Sequence, residues 1–511
     1  MKPFKYLLLF FSSILLFLFV TADTTPKHVH LSLNNDPQSM VFSWITFSSI
    51  SHTSTPIVKY GTSNVSLTNT VTGSFTVFIY NGIVRYMYKA TASNLQFNTR
   101  YYYQVGSEEG LSQIFSFKTF PQGNDIQLRI CIFGDLGIEN DISMLPLRTA
   151  GLRGDFDMIV HVGDLAYDLH SNDGKLGDEY MELMEPLISS MPYMVIAGNH
   201  EYDWKVKNFA NYEKRFVMPD NGDGKNQYYS FSTGPIQFIG VSTEFYGFFY
   251  DFGIQPVLDQ YSWLEKELIK ANNNRNNKPW VMTYQHRPFY CSNENSLECD
   301  SFENRVIREG YLNMPGLEPL YGKYGVDINW SGHEHSYERM FPVYDRKLYN
   351  DSDYYHNAKA TTYIITGSAG CHSFQAKFGP PSPFSAKRLN KYGYTVMHIK
   401  NMTHLYFEQI DTQAAESSNP VVDTWWMSKD IGYVIKDEIR ENSKHIDLRI
   451  EYTEVPGFIR RLCVGRNRRC NEIFSKDLYK FSKSVQVPVQ EYSKYWYEVV
   501  DSSIDRHNDV L

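Results

Sequence analysis

The stretch Met158-Ile159-Val160-His161-Val162-Gly163-Asp164-Leu165-Ala166-Tyr167 constrains the fold more than any other part of the chain. Its apolar run is short, rich in β-branched residues and cut off at a glycine, which reads as a buried strand and not a helix. In an α/β domain ligands collect beyond the carboxyl ends of such strands, so the aspartate after Gly163 is placed to reach a metal ion. Tyr167 approaches from the same side if the turn is helix-like. A neutral phenol is a poor ligand, so a tyrosine there requires a strong Lewis acid that holds it as phenolate.

Related runs recur along the chain. Leu128–Phe133 leads into Gly134-Asp135-Leu136-Gly137, and Met194–Ala197 into Gly198-Asn199-His200-Glu201. Trp280–Gln285 ends in His286, and Val326–Ser331 leads into Gly332-His333-Glu334-His335. Between the strand-like runs, Tyr180–Ile188 and Tyr261–Ala271 have amphipathic helical spacing. The alternation predicts a layered α/β domain with helices outside, over residues 127–426. Before it, residues 24–120 carry period-two runs such as Val29/Leu31/Leu33 and Met40/Phe42/Trp44, separated by turn signals. That pattern predicts a β-sandwich without a catalytic cluster of its own, structural or forming a rim for the neighbouring site. Residues 427–511 mix charge with aromatics and carry no functional signature.

Residues 1–22 begin with Lys2 and Lys5, continue through an apolar run and end in Val20-Thr21-Ala22, the form of a secretory signal peptide. No later stretch has the roughly 18 consecutive apolar residues of a membrane span, so no transmembrane segment is expected after signal removal. The expected location is extracellular or the lumen of an acidic secretory or lysosomal compartment. Asn64, Asn350 and Asn401 head glycosylation sequons, whereas the sequon at Asn329 lies in a buried-looking run. The six cysteines fit an oxidising compartment, with Cys291/Cys299 and Cys463/Cys470 as candidate local disulfides and Cys131 as a buried thiol. The formal charge of −8 gives no basic footprint for nucleic acid.

Asp135, Asp164, Tyr167, Asn199, His286, His333 and His335 thus stand at the ends of the strand runs. Mixed oxygen donors and imidazoles suit iron, zinc or manganese better than calcium. Seven ligands exceed one tetrahedral ion and suit two ions sharing a carboxylate, an arrangement that clamps a phosphoryl group. The order Gly-Asp-x-Gly, Gly-Asp-x-x-Tyr, Gly-Asn-His-Glu, a strand ending in His, and Gly-His-x-His resembles that of the purple acid phosphatases, within the metallophosphoesterase superfamily.

The resemblance covers roughly residues 24–430. It implies a fibronectin-III-like β-sandwich followed by a layered αββα metallophosphoesterase domain. It makes Asp135, Tyr167 and His335 ligands of Fe3+, and Asn199, His286 and His333 ligands of a divalent ion (Zn2+, Mn2+ or Fe2+). Asp164 bridges the two. The implied reaction is hydrolysis of small phosphate monoesters at acidic pH, by attack of a metal-bound hydroxide on phosphorus. His200 is the expected acid for the leaving group, with Glu201 as the residue that sets its tautomer. Plant-type members place a His pair after the strand that ends in the His ligand. Here the loop His286–Cys299 has no further histidine and is similar to the animal-type loop.

Isolated, these residues have plainer roles: Gly-Asp pairs in turns, Tyr167 in packing, His286 as a structural histidine. His161 is read as a core histidine, Arg339 as an ion-pair residue and His372 as a candidate lining of the cleft. The rival functions are a phosphodiesterase or nucleotidase, a manganese-type protein phosphatase, and a non-catalytic secreted binding protein. Tyr167 and the front β domain argue against the protein phosphatase, and an intact ligand set against the binding protein.

Overall fold

The computed structural model describes residues 24–50, 54–294, 299, 302–349, 353–371, 373, 375–415 and 418–435. The signal segment 1–22, Asn350, His372, Cys463 and Cys470 lie outside the described residues.

The front domain is a sandwich of two antiparallel sheets. One orders Lys27–Ser32, Met40–Thr46, Ile83–Ala92 and Ser74–Tyr80. The other is built around Arg100–Ser107, which pairs with Ile57–Gly61, Gly110–Leu111 and Phe115–Lys118. Phe42, Tyr103 and Phe117 meet edge to face between the sheets. The strand Lys27–Ser32 departs from simple alternation, because its polar residues His28, His30 and Ser32 are buried too. Its second face packs on the catalytic domain, where the Val29 N–H donates to Glu185 on the helix Lys175–Ile188 at 2.8 Å.

The catalytic domain stacks two mixed sheets with helices outside, the layered arrangement expected from the strand–helix alternation. The first orders Tyr193–Val195, Met158–His161, Leu128–Phe133, Gly393–Ile399, His404–Asp411 and Val421–Ser428. The second, seven-stranded sheet holds Ile236–Gly240, Trp280–Tyr284, Ile328–Ser331 and Thr362–Thr366 in consecutive parallel pairing. The sheets meet directly: the Gly134 N–H donates to Thr366 O at 2.9 Å. The helix expected at Tyr261–Ala271 runs over Gln255–Asn273, because Pro256 sits in its first turn, where a missing N–H costs nothing.

Within each sheet the motif-bearing strands run parallel, so their carboxyl ends share one edge. Among the described residues no helix is long and apolar enough to cross a membrane.

Candidate metal centre

All seven candidate ligands come together at that edge. Asp164 belongs to two donor groups, Asp164/His286/His333 and Asp135/Asp164/His335, each with donor atoms within 4.8 Å of one another. Asn199 Oδ1 lies 3.0 Å from His286 Nε2 and 2.9 Å from His333 Nδ1. Tyr167 Oη lies 3.2 Å from Asp135 Oδ1 and 3.1 Å from His335 Nε2.

The backbone is bent to achieve this. Asp135, Asp164, Tyr167 and His333 all have φ between 49° and 70°, the left-handed region that non-glycine residues seldom adopt. Tyr167 therefore does not arrive on a helix-like turn. Leu165–Ala166 pairs as a short strand with Leu136–Gly137, and positive φ at Ala166 and Tyr167 swings the phenol back over the carboxylates. The motif glycines allow close approach. A Cβ at Gly163 would lie 2.5 Å from His286 Nδ1, and one at Gly198 2.3 Å from Asp164 Oδ1.

Outer contacts aim the donors inward. His286 Nδ1 lies 2.9 Å from the Val162 carbonyl, which can only accept, so its Nε2 lone pair faces the centre. His335 Nδ1 contacts Ser373 Oγ at 3.1 Å. His333 presents Nδ1 to the site while its Nε2 lies 3.3 Å from Arg287 Nη1, and Arg287 is paired with buried Glu244 at 3.0 Å. Glu334, between the two histidines, points instead at the Cys291–Cys299 disulfide, 3.5 Å from Cys299 Sγ.

The donor set fits metal ions. Ligands about 2.0–2.1 Å from a common ion at tetrahedral or octahedral angles stand about 2.9–3.4 Å apart. The His286, His333 and Asn199 donor atoms have separations of 2.9–3.2 Å. Burial and then the neighbouring Asp135 push the Tyr167 phenol well above its usual range, and burial does the same to the Asp135 carboxyl. Burial would lower His286, but the Asp164 carboxylate beside it raises the imidazole to about 10. Cations bound here would displace the protons these groups hold.

His200 stands at the edge of the centre with its side chain 26 % exposed, its Nδ1 2.5 Å from Asp168 Oδ1 and its ring 4.4 Å from that of Tyr167. Burial would lower its pKa, but the Asp164 and Asp168 carboxylates raise it to about 9. Glu201 does not set its tautomer, contrary to expectation. The Glu201 carboxylate accepts from the backbone N–H groups of Asp164, Leu165 and Gly198 at 2.7–2.9 Å, tying the Gly-Asp and Gly-Asn turns together. Asp168 is the partner that sequence reasoning missed, although a carboxylate directly after Tyr167 was a signal. Glu244 and Arg287 had no such signal, being far apart in sequence.

The plainer assignments find their places too. His161 is fully buried with Nδ1 2.6 Å from the Tyr193 hydroxyl, and Arg339 pairs with Asp423 at 2.9 Å. Asn64 is exposed, Asn401 half-buried and Asn329 fully buried. Cys131 and Cys371 are buried thiols.

Comparison with known proteins places this geometry. Residues 26–119 match the family description "Purple acid Phosphatase, N-terminal domain", 128–337 "Calcineurin-like phosphoesterase" and 360–424 "Iron/zinc purple acid phosphatase-like protein C". The chain is 38% identical over 410 residues to acid phosphatase type 7 of Mus musculus, covering 79% of this chain and 91% of that protein. The chain belongs to the purple acid phosphatase family. Probable purple acid phosphatase 20 of Arabidopsis thaliana is 32% identical over 397 residues, covering 75% of this chain and 84% of that protein. The purple acid phosphatase PPD1 from yellow lupin (Lupinus luteus) seeds shares the fold, with a TM-score of 0.67 at 23% identity over 80% of this chain and 75% of that one. The protein is an acid phosphatase with a dinuclear metal centre for small phosphate esters.

Proposed function

We propose that this purple acid phosphatase hydrolyses phosphate monoesters at acidic pH in a secreted or vesicular setting. Asp135, Tyr167 and His335 would hold Fe3+, Asn199, His286 and His333 a divalent ion, and Asp164 would bridge them. The observation that carries the reading is the membership of Asp164 in both donor groups, one of them beside Tyr167. When bound, the ions would supply Lewis acidity to water and to the phosphoryl oxygens and neutralise charge that develops in the transition state.

The protein's own residues do the rest. Glu201 fixes the two turns that carry Asp164 and Asn199, and the Val162 carbonyl and Ser373 hydroxyl fix the rings of His286 and His335. Because Asp168 accepts from Nδ1, the second nitrogen of His200 is left to donate a proton to the departing alkoxide. The Cys291–Cys299 disulfide and the exposed Asn64 sequon support an oxidising compartment.

The test pairs visible absorption and metal content of the purified protein with hydrolysis of a monoester and a diester. A broad mid-visible band, two metals per chain including iron, and preferential monoester turnover are expected. A colourless protein with two zinc or manganese ions would overturn the Tyr167–iron assignment. Preferential diester turnover would overturn the substrate class.

A further inference from the structure

One cavity lies well away from the metal centre. It is an open cleft of about 680 Å3 at the junction of the two domains, within the size range of small-ligand sites. The sandwich wall carries Arg100, Ser116 and Lys118, and the catalytic wall Arg129, Arg153 and Lys400. The strands place it. Arg129 and Asp157 stand at the amino ends of Leu128–Phe133 and Met158–His161, whereas Asp135 and Asp164 lie beyond their carboxyl ends. At about 3.3 Å per residue, the cleft is roughly 20 Å from the metal centre.

Its charge runs against that of the molecule. The chain has 49 Lys and Arg against 57 Asp and Glu, yet the lining holds five Lys and Arg and one carboxylate, Asp157. Arg129 is bound to Asp157 at 3.1 Å, and Arg153 pairs with Asp155 outside the lining. Arg100, Lys118 and Lys400 remain. Lys400 lies over the Tyr406 ring, Arg100 donates to Ser116 Oγ at 3.2 Å, and among the described residues no carboxylate pairs with Arg100 or Lys118. Arg100 and Lys118 are also direct register partners on adjacent strands. Like charges placed opposite one another repel and destabilise a sheet unless something of opposite charge stands between them. The one carboxylate of the lining, Asp157 on the catalytic wall, is taken by Arg129.

We propose that this cleft is a second ligand site, for a small molecule carrying two or more phosphate or sulfate groups. The ligand bridges the Arg100/Lys118 pair to Lys400 across the domain junction. Its charge satisfies the repelling pair, and its contacts with both walls clamp the domains together. Occupancy therefore raises thermal stability by mass action. The site does not draw on the metal centre, and its existence does not depend on the substrate class proposed above.

The experiment is calorimetric titration of the metal-loaded full chain with a β,γ-imido nucleoside triphosphate and with sucrose octasulfate, each with vanadate saturating the metal centre. At least one probe should bind one site per chain and raise the melting temperature. A tighter nucleotide analogue marks a phosphate ligand, and a tighter octasulfate marks a sulfated sugar; either supports the site. In the Arg100→Glu/Lys118→Glu variant the affinity should fall by at least about tenfold, and kcat/KM for a small monoester should be unchanged. Lys400→Glu is the alternative if the double variant folds poorly. No binding in the presence of vanadate, or equal affinity in wild type and a folded variant, would overturn the proposal.

Discussion

Two buried carboxylate clusters in the catalytic domain differ in their partners. Asp327, 1% exposed, accepts from Arg275 Nη1 and Lys429 Nζ, both at 2.6 Å, and from the Val281 N–H at 2.8 Å. Two basic side chains and a backbone donor cover both of its oxygens, and the cluster is complete. Asp135 and Asp164 are as deeply buried, yet their neighbours are imidazoles, an amide and a phenol, groups that keep a lone pair to offer. Burial of an acid thus does not by itself mark a functional site. A buried acid among side chains that can each turn a lone pair toward a common point does, because such donors can be shared with a metal ion.

The largest consequence should appear on removing the shared ligand. Asp164→Asn is expected to lose both metals and, with several kcal/mol of transition-state stabilisation gone, at least about a thousandfold in monoester turnover. The metal-free melting temperature should stay near that of the metal-free wild type. Elemental analysis decides: two retained metals per folded chain would show that Asp164 is not shared. Asp327→Ala should do the reverse. It strands two buried cations and is expected to cost about 3–5 kcal/mol of folding stability. Urea denaturation measures that cost, and metal per folded chain should not change. A variant of Asp327 that unfolds normally but binds no metal would erase the distinction between the clusters.

This contrast also explains what the sequence could reveal. The layered α/β architecture was legible because buried parallel strands write themselves as short apolar runs, and those runs end where ligands must stand. Asp135, Asp164, Asn199, His286 and His333 were therefore visible as terminal residues. The left-handed turns that aim Tyr167 and His333 were not, since nothing local in Ala166-Tyr167 announces a positive φ. Nor were partners drawn from distant segments: Glu244 for Arg287, Ser373 for His335, Arg275 and Lys429 for Asp327. The burial of His28, His30 and Ser32 was hidden because the second face of their strand is covered by another domain.

Smaller effects should separate His200 from the residue that holds it. His200→Ala is expected to lower turnover about a hundredfold or more, the usual worth of a positioned acid, with metal content intact. Asp168→Asn keeps the side-chain shape and should cost only about tenfold, with a shifted pH profile, because it disturbs the tautomer of His200 without removing the ring. Equal losses from both variants would mean that they act as one unit. Loss of metal in either would move that residue into the ligand set.

A last effect, spread over pH, distinguishes the histidines of the domain junction from those of the centre. His286 is raised by a neighbouring carboxylate, but His28 and His30 are governed by burial, which pulls them down to about 3 and about 4. Arg215 lowers His28 further, and the exposed Glu182, 3.9 Å away, does not compensate. His30 Nδ1 lies 2.8 Å from the His28 carbonyl and faces the Phe216 ring. Both folded values lie below the unfolded one, so between them the unfolded chain binds more protons than the native protein. This stability is complete above about pH 6.5 and is lost as pH falls, at up to about 1.4 kcal/mol per pH unit for each ring. An acid phosphatase of this build therefore works where its domain junction is weakening. Urea midpoints followed from about pH 6.5 to about pH 4.5 should decline, and His30→Gln should make the decline shallower. A midpoint that stays flat in the wild type would show that these rings take up protons as readily in the folded protein as in the unfolded chain.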